Sequence, residues 1–183
     1  MSSDVTPGAD DTRSSAETGD HSDASRRLLE ESFNEGNFAV IDQLVAADAV
    51  THDPATPAEM RDLRGPELLK RTVGMYRSAF PDVRMTVDEV ITAGDKVVLR
   101  WHSEGTHRGE LRGLAPTGAR GSVTGISIDR WQNDKLVESW IEWDNFGLAR
   151  QLGAAPSEGS VGEKIGIGAQ RVVARWMQRK NQN

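Results

Sequence analysis

The sequence contains no cysteine, and this absence excludes several kinds of chemistry. Without cysteine there is no disulfide framework, no thiol nucleophile and no thiolate-bound zinc. Positive charge is also not in excess, because the net charge is −6. A nucleic acid requires a basic face for its phosphates, so we predict no nucleic-acid partner. The lack of cysteine fits a reducing compartment, and we predict a cytoplasmic protein.

Long apolar runs are missing as well. No stretch approaches the roughly 18 apolar residues that a membrane-spanning helix needs, so we predict no membrane span. The first residues also lack the basic start and the apolar middle of a signal peptide. Residues 1–23 are rich in Ser, Asp, Gly and Thr and hold almost no large apolar side chain. Such a segment buries too little surface to offset the entropy of ordering, so we predict a disordered acidic tail over residues 1–23.

Periodic apolar residues begin after this tail, first at helical spacing. Three helices are predicted, over about residues 23–35, 38–45 and 66–80. Pro66 in the first turn and Pro81 just after the end frame the third helix well. A brief strand in AVTHDPATP separates the second helix from the third.

Strand spacing follows from residue 84 to residue 144. Alternating apolar residues predict four strands in two hairpins, with turns at residues 93–95 and at Asn133-Asp134. A loop rich in Gly and Pro, RGELRGLAPTGARG, joins the two hairpins. Helices followed by an antiparallel meander indicate an α+β fold, and we place the folded domain at residues 24–153.

The last segment, residues 154–183, is predicted to be a linker followed by a basic amphipathic helix. Arg171, Arg175 and Arg179 supply much of its positive charge. A helix of this kind can lie on a membrane surface or on a partner. Packing on its own domain or on a sister subunit is the interpretation we favour.

The order of four motifs, FPD, GTHRGE, PTG and WDNFGLARQLG, resembles the SnoaL-like polyketide cyclase family over roughly residues 25–153. The resemblance implies the NTF2-like cone, in which a curved antiparallel sheet wraps around N-terminal helices and encloses a pocket. It also implies homodimers and a hydrophobic, polyketide-like substrate. The expected activity is ring closure by an intramolecular aldol reaction, without cofactor or metal, in secondary metabolism such as antibiotic biosynthesis.

The sequence departs from the family at the positions that carry this chemistry. The cyclases place an Asp acid/base on the last strand, a His two positions before it and another His on the preceding strand. Alignment on RQLG without gaps puts Ile141, Ser139 and Ser127 at these positions. The departure counts against the standard aldol assignment, and acids or bases from elsewhere would have to replace the missing groups.

His52 and Asp144 are the candidates that we predict to be catalytic. His52 can act as a base or an acid near neutral pH. Asp144 ends the last strand at the open end of the cone. Both have structural alternatives: His52 could make a hydrogen bond near Asp53, and Asp144 could cap the helix predicted at residues 145–152.

A second set of residues is predicted to contact the substrate. Alternation on the last strand places one face toward the pocket and turns Glu142 toward the outer side of the sheet. Ligand pockets are largely apolar with few polar groups, which suits tryptophan on strands. The predicted substrate-binding residues are Trp101, His107, Ser127, Ser139, Ile141 and Trp143. The histidines are scattered without metal-ligand spacing, so no metal site is predicted.

Three functions remain open from the sequence. The first is an enzyme of the cyclase type, and the second is a protein that binds a hydrophobic metabolite without catalysis. The third is a dimeric interaction scaffold that uses the outer sheet face and the basic helix. Two or more ionisable groups in the pocket would favour the enzyme, a wholly apolar pocket the binding protein, and a filled cavity the scaffold.

Overall fold

The computed structural model describes residues 20–156 and 159–180, and this part of the chain holds five α-helices and one five-stranded sheet. The helices are α1 Ser22–Glu30, α2 Phe38–Leu44, α3 Gly65–Ala79, α4 Asn145–Gln151 and α5 Val161–Lys180. The strands are β1 Val45–His52, β2 Arg84–Ala93, β3 Lys96–Thr106, β4 Arg120–Gln132 and β5 Lys135–Trp143.

The sheet has the order β1-β5-β4-β3-β2 and is curved but not closed. The predicted α+β class and the two antiparallel hairpins are confirmed. One edge differs from the prediction, because β1 pairs with β5 in parallel. This strand also begins at Val45, which the apolar spacing had assigned to the second helix. Apolar spacing could not reveal either feature. Val45 has an extended backbone that ends α2, and β5, the strand with which β1 pairs, lies far along the chain.

The turn between β4 and β5 follows the predicted hairpin chemistry. Asn133 and Asp134 have φ angles of 50° and 57°, in the left-handed region. Two consecutive positive φ angles match the right-handed twist of the flanking strands, and Asn and Asp tolerate them better than most residues.

The folded domain begins slightly earlier than predicted. The ring of His21 stacks on Trp131 with 4.9 Å between centroids, and α1 starts at Ser22. Residues 20–23 therefore belong to the domain rather than to the tail. The rest of the predicted tail lies outside the described residues. After α1 the chain makes a π-helical turn that ends at Gly36, the predicted stop, where φ is 70°.

Two clusters of buried side chains flank the hollow of the sheet. The larger cluster joins α1, α2 and α3 to the inward residues of the strands; Ile41 of α2, Leu99 of β3 and Trp131 of β4 belong to it. The smaller cluster joins the end of α3 to α4 and to the loop before β4, through Phe80 and Leu148. The space between the clusters is the cavity described below.

The described apolar side chains of the last helix, α5, do not pack on its own domain, and packing on a sister subunit stays a prediction. Val161, Ile165, Ile167 and Met177 are exposed rather than packed on the domain. A salt bridge of 2.7 Å between Arg150 and Glu163 ties the start of the helix to α4. In the described part of the chain, no helix combines the length and apolar character that crossing a bilayer requires.

Candidate active site

A cavity of about 130 Å³ lies between α3 and the inward face of the sheet. Strand alternation explains its lining, because every second residue of β3, β4 and β5 points to this side. Most lining side chains are apolar, including Phe33, Leu69, Phe80 and Met85. A concave apolar site with few polar groups is the usual form of a small-molecule pocket.

Four of the predicted substrate-binding residues line this cavity, namely Trp101, Ser127, Ile141 and Trp143. The Trp101 indole Nε1–H donates a hydrogen bond of 2.9 Å to Ser127 Oγ, which fixes the ring. Gly125 lies opposite Trp101 in the register of β3 and β4. A Cβ atom at this glycine would lie 2.3 Å from the indole, so only glycine leaves room for the ring.

The other two predicted contacts, Ser139 and His107, do not line the cavity. Ser139 Oγ donates a hydrogen bond of 2.7 Å to the buried carboxylate of Asp129. The His107 ring is fully buried against Phe80, with centroids 5.3 Å apart. Its Nδ1 accepts a hydrogen bond from the backbone N–H of Thr117. Both residues support the cavity wall from behind.

His52, predicted to be catalytic, lies on the outer side of the sheet edge. Its ring stacks on Trp140 with centroids 5.3 Å apart, and Nε2 lies 2.9 Å from Glu138 Oε1. Hydrogen bonds from His52 and Arg130 lower the pKa of Glu138. His52 therefore borders a second, outer cavity and not the apolar one.

Asp144, the other predicted catalytic residue, caps α4. Its Oδ1 accepts a hydrogen bond of 2.7 Å from the backbone N–H of Gly147, and the residue is exposed. The side chain lines neither cavity. The geometry does not bring His52 and Asp144 together: His52 contacts Glu138, Asp144 caps α4, and their catalytic roles stay predictions.

Asp53 is the carboxylate that the structure places at the apolar cavity. It follows the last residue of β1, and its side chain accepts a hydrogen bond of 2.8 Å from Ala55 N, which holds it at the turn. Glu104 also borders the cavity, but it belongs to the outward set of β3 and its carboxylate pairs with Arg120 at 2.8 Å.

Tyr76 is a second ionisable group in the cavity wall. Burial raises the pKa of its hydroxyl to about 12, and the charges of Arg112 and Asp53 act on that pKa in opposite directions. Arg112 Nη2 donates a hydrogen bond of 2.5 Å to the phenol oxygen. Because the oxygen accepts this bond, its own proton remains free to donate to another group.

A tight turn brings Arg112 to Tyr76. Reciprocal backbone hydrogen bonds of 2.9 and 3.0 Å join Leu111 and Leu114. The two central residues, Arg112 and Gly113, have φ angles of 52° and 81°. A left-handed conformation is costly for arginine, and such strain is concentrated at functional sites. Leu111 anchors the turn in the smaller cluster.

The sequence interpretation missed Asp53, Tyr76 and Arg112. Alternation beyond β1 was the signal for Asp53, since neighbours on a strand face opposite sides and His52 takes the outer one. Tyr76 was assigned only to the apolar face of its helix. Arg112 carried the weakest signal, an Arg-Gly pair between two leucines. Across the described residues, no three His, Asp or Glu side chains converge as a metal site.

Comparison with known proteins places this geometry in a family. The sequence model of the SnoaL-like polyketide cyclase family matches residues 23–152. The chain belongs to this family. The matched residues include all five strands of the sheet and, apart from Ser22, the first four helices.

Solved structures agree with the family. IdmH from Streptomyces antibioticus, a candidate polyketide cyclase, is 31% identical; the match covers 73% of this chain and 99% of IdmH with a TM-score of 0.62. TsrD from Streptomyces laurentii is 28% identical over 72% of this chain and 96% of TsrD, also with a TM-score of 0.62. AclR from Streptomyces galilaeus, a candidate hydroxylase, shares the fold at 24% identity, 73% and 96% coverage and a TM-score of 0.62. No curated protein sequence matches the chain.

Proposed function

We propose that this SnoaL-like protein catalyses ring closure, or a related acid–base rearrangement, of a hydrophobic polyketide-like molecule in secondary metabolism. The observation that carries the proposal is the presence of both Asp53 and the hydrogen-bonded Tyr76–Arg112 pair at the wall of one largely apolar cavity. A carboxylate supplies a base, and a neutral phenol held by a cation supplies a fixed donor. Acid–base chemistry of this kind needs no cofactor.

The first step assigned to Asp53 is proton removal. Its carboxylate takes the proton from a carbon next to a carbonyl group, and the electron pair of the C–H bond moves onto the carbonyl oxygen. The resulting enolate carbon attacks a second carbonyl of the same molecule and forms the C–C bond. Asp53 then returns its proton to the new alkoxide, so that substrate and product are isomers.

Tyr76 stabilises the oxygen on which charge develops. A pKa of about 12 keeps the phenol protonated, so it donates a hydrogen bond without losing its proton. Arg112 on the phenol oxygen polarises this donor. A fixed donor aimed at a developing oxyanion contributes roughly 10²–10³ in rate in other enzymes.

Holding both reacting carbons in one cavity increases the rate further, because an intramolecular reaction that is already oriented avoids most of the entropic barrier. Two ionisable groups at the cavity favour the enzyme over a binding protein without catalysis. The residues of the standard cyclase positions, Ile141, Ser139 and Ser127, act here as wall and support.

The test uses acetophenone, which carries one ring and a carbonyl with exchangeable neighbouring protons. In D₂O, the protein should accelerate exchange of the methyl protons, followed by NMR. Asp53→Asn should keep acetophenone binding, measured by tryptophan fluorescence, and reduce the catalysed exchange rate by roughly 10²–10⁴. His52→Gln is the matched control, since it alters the adjacent residue on the outer side and should keep the rate within about threefold.

If Asp53→Asn leaves the catalysed exchange rate unchanged, Asp53 is not the base. A wild-type protein that binds acetophenone without accelerating exchange would instead support a binding protein.

We also propose a cytoplasmic homodimer formed through the outer sheet face. Ile126 and Ile128 are exposed there on β4, at 48% and 36%. Light scattering should give about twice the chain mass of 20.0 kDa, and replacing both residues with Thr should shift the mass toward that of one chain. A monomeric wild-type protein at micromolar concentration would refute this part.

A further inference from the structure

The inner cavity is too small for a complete polyketide. Its volume of about 130 Å³ is close to that of an engineered cavity, about 150 Å³, that holds one benzene molecule. Drug-sized ligands occupy pockets of roughly 300–1,000 Å³. A ligand that places one ring inside must therefore extend beyond the cavity.

A second cavity of about 450 Å³ offers the space for this extension. Two residues, Asp53 and Ile141, line both cavities, so the two spaces are adjacent at the proposed base. The junction lies where β1 has ended and β5 continues, because the register of the pair stops at His52 and Trp140. The open edge of β5 thus lies between the inner cavity and the outer one.

The outer cavity has a different chemical character. Thr51, Thr56, Arg61 and Glu142 line it together with His52. The His52 ring nitrogen is occupied by Glu138, which also accepts from Arg130. Within the described part of the chain, Arg61 has no carboxylate at ion-pairing distance.

The backbone around Arg61 is nevertheless held in place. Arg61 N donates to Ala58 O, and the side chain of Arg64 donates a hydrogen bond of 2.7 Å to Arg61 O. A planar guanidinium with five donors is suited to a carboxylate, which it can bind through two parallel hydrogen bonds. Two carboxylates oppose an anionic arm, namely Asp53 at the junction and Glu142, which is exposed and lacks an ion-pair partner in the same described region.

We propose that the ligand spans both cavities, with a single apolar ring in the inner cavity and a carboxylate-bearing arm in the outer cavity, bound by Arg61. The proposal rests on the proposed function only in taking the inner cavity as the ligand site. It narrows the substrate class to an aryl or cyclic ketone with an acidic side arm, and it places the reacting carbons beside Asp53 at the junction.

The test compares two probes with the same ring and arm, 4-phenylbutyrate and 4-phenylbutan-1-ol. The wild-type protein should bind the carboxylate about tenfold more tightly, measured by calorimetry at low salt, since a charge-assisted hydrogen bond is roughly twice as strong as a neutral one. Arg61→Gln should abolish this preference and leave the alcohol unaffected. Glu142→Gln should increase the preference.

Arg71→Gln is the matched control. Arg71 is exposed on α3 and, among the described residues, forms its ion pair with Glu67 at 2.8 Å. Its replacement removes the same charge away from both cavities and should keep the preference. Equal affinity for the two probes, no binding of either probe, or a preference that survives Arg61→Gln would each overturn the proposal. None of these outcomes depends on proton exchange by Asp53, so failure of this site and failure of the enzyme are distinguishable.

Discussion

The two faces of β5 show how one strand serves two purposes. Its inward residues, Ile141 and Trp143, form an apolar wall in which each neighbour is fixed by packing. Its outward residues, Glu138 and Trp140, meet His52 in a partly exposed group of charge and ring contacts. Packing against the core cluster makes the inner face less tolerant of change, whereas water can replace most polar contacts on the outer face. Substitutions on the two faces should therefore differ strongly in effect.

The largest effect is expected at Gly125 on the inner face. In Gly125→Ala the new Cβ atom would lie 2.3 Å from the Trp101 ring, which Ser127 holds in place. Overpacking of this kind costs about 3 kcal/mol of unfolding free energy and displaces the indole from the cavity. Urea denaturation should show the loss, and near-ultraviolet circular dichroism should show a moved tryptophan. Ser122→Ala, on the outward set of the same strand, is the control; equal stability of the two variants would contradict a rigid inner wall.

A smaller effect is expected at Asp129, which is 5% exposed on the inner side of β4. Burial raises the pKa of its carboxyl group from 3.8 to about 6, although Ser139 and Ser25 donate hydrogen bonds to it. Between these pH values the folded protein keeps a proton that the unfolded chain has released. This group therefore stabilises the fold below about pH 4, and its contribution is lost as the pH rises to about 6.

Asp129→Asn removes that dependence. Relative to wild type, the unfolding free energy of the variant should increase by about 2 kcal/mol between pH 4 and pH 7.5. Urea titrations at the two pH values measure the change. Parallel stability curves for the two proteins would show that Asp129 ionises freely.

Asp144 lies between the two faces and should have an intermediate effect. Asp144→Ala removes the acceptor of the Gly147 N–H bond and should cost about 1 kcal/mol, whereas Asp144→Asn should be nearly silent because asparagine caps equally well. Thermal unfolding of the two variants measures the difference in stability between alanine and asparagine at position 144. A large loss of proton exchange in Asp144→Asn, with stability unchanged, would restore Asp144 as an acid or base.

The smallest effect is expected on the outer face. His52→Gln breaks a partly exposed contact with Glu138, which keeps its bond of 2.9 Å to Arg130. Partly exposed ion pairs contribute at most about 1 kcal/mol, so the loss should be below that of Asp144→Ala. A cost comparable to that of Gly125→Ala would mean that the outer face is buried in an assembly.

Local sequence patterns were sufficient for most of the fold. Apolar spacing located α3, the two hairpins and the alternation that sorts Ile141 and Trp143 from Glu138 and Trp140. These features depend on neighbours within a few residues. The parallel pairing of β1 with β5 was not predictable in this way, since it depends on two segments that are distant in sequence.

The site was predictable only in part, for a related reason. The wall residues follow from alternation, and four of the six expected contacts lie there. The ionisable groups come from a turn after β1, a helix and a loop. Which of His52 and Asp53 faces the cavity depends on where β1 ends against β5, and no local pattern marks that residue. Arg112 reaches Tyr76 only because its turn adopts two left-handed residues.

The parallel edge also has a kinetic consequence. The contact between His52 and Glu138 joins residues that are 86 positions apart, and Asp53 is placed by the same pairing. Contacts of high sequence separation form late, because the entropy of closing the loop must be lost before they contribute. A ribosome must therefore release most of this domain before Asp53 can reach the cavity. The same edge should be the first part of the sheet to open by hydrogen exchange, so the proton exchange proposed for Asp53 should fade before the fold itself is lost.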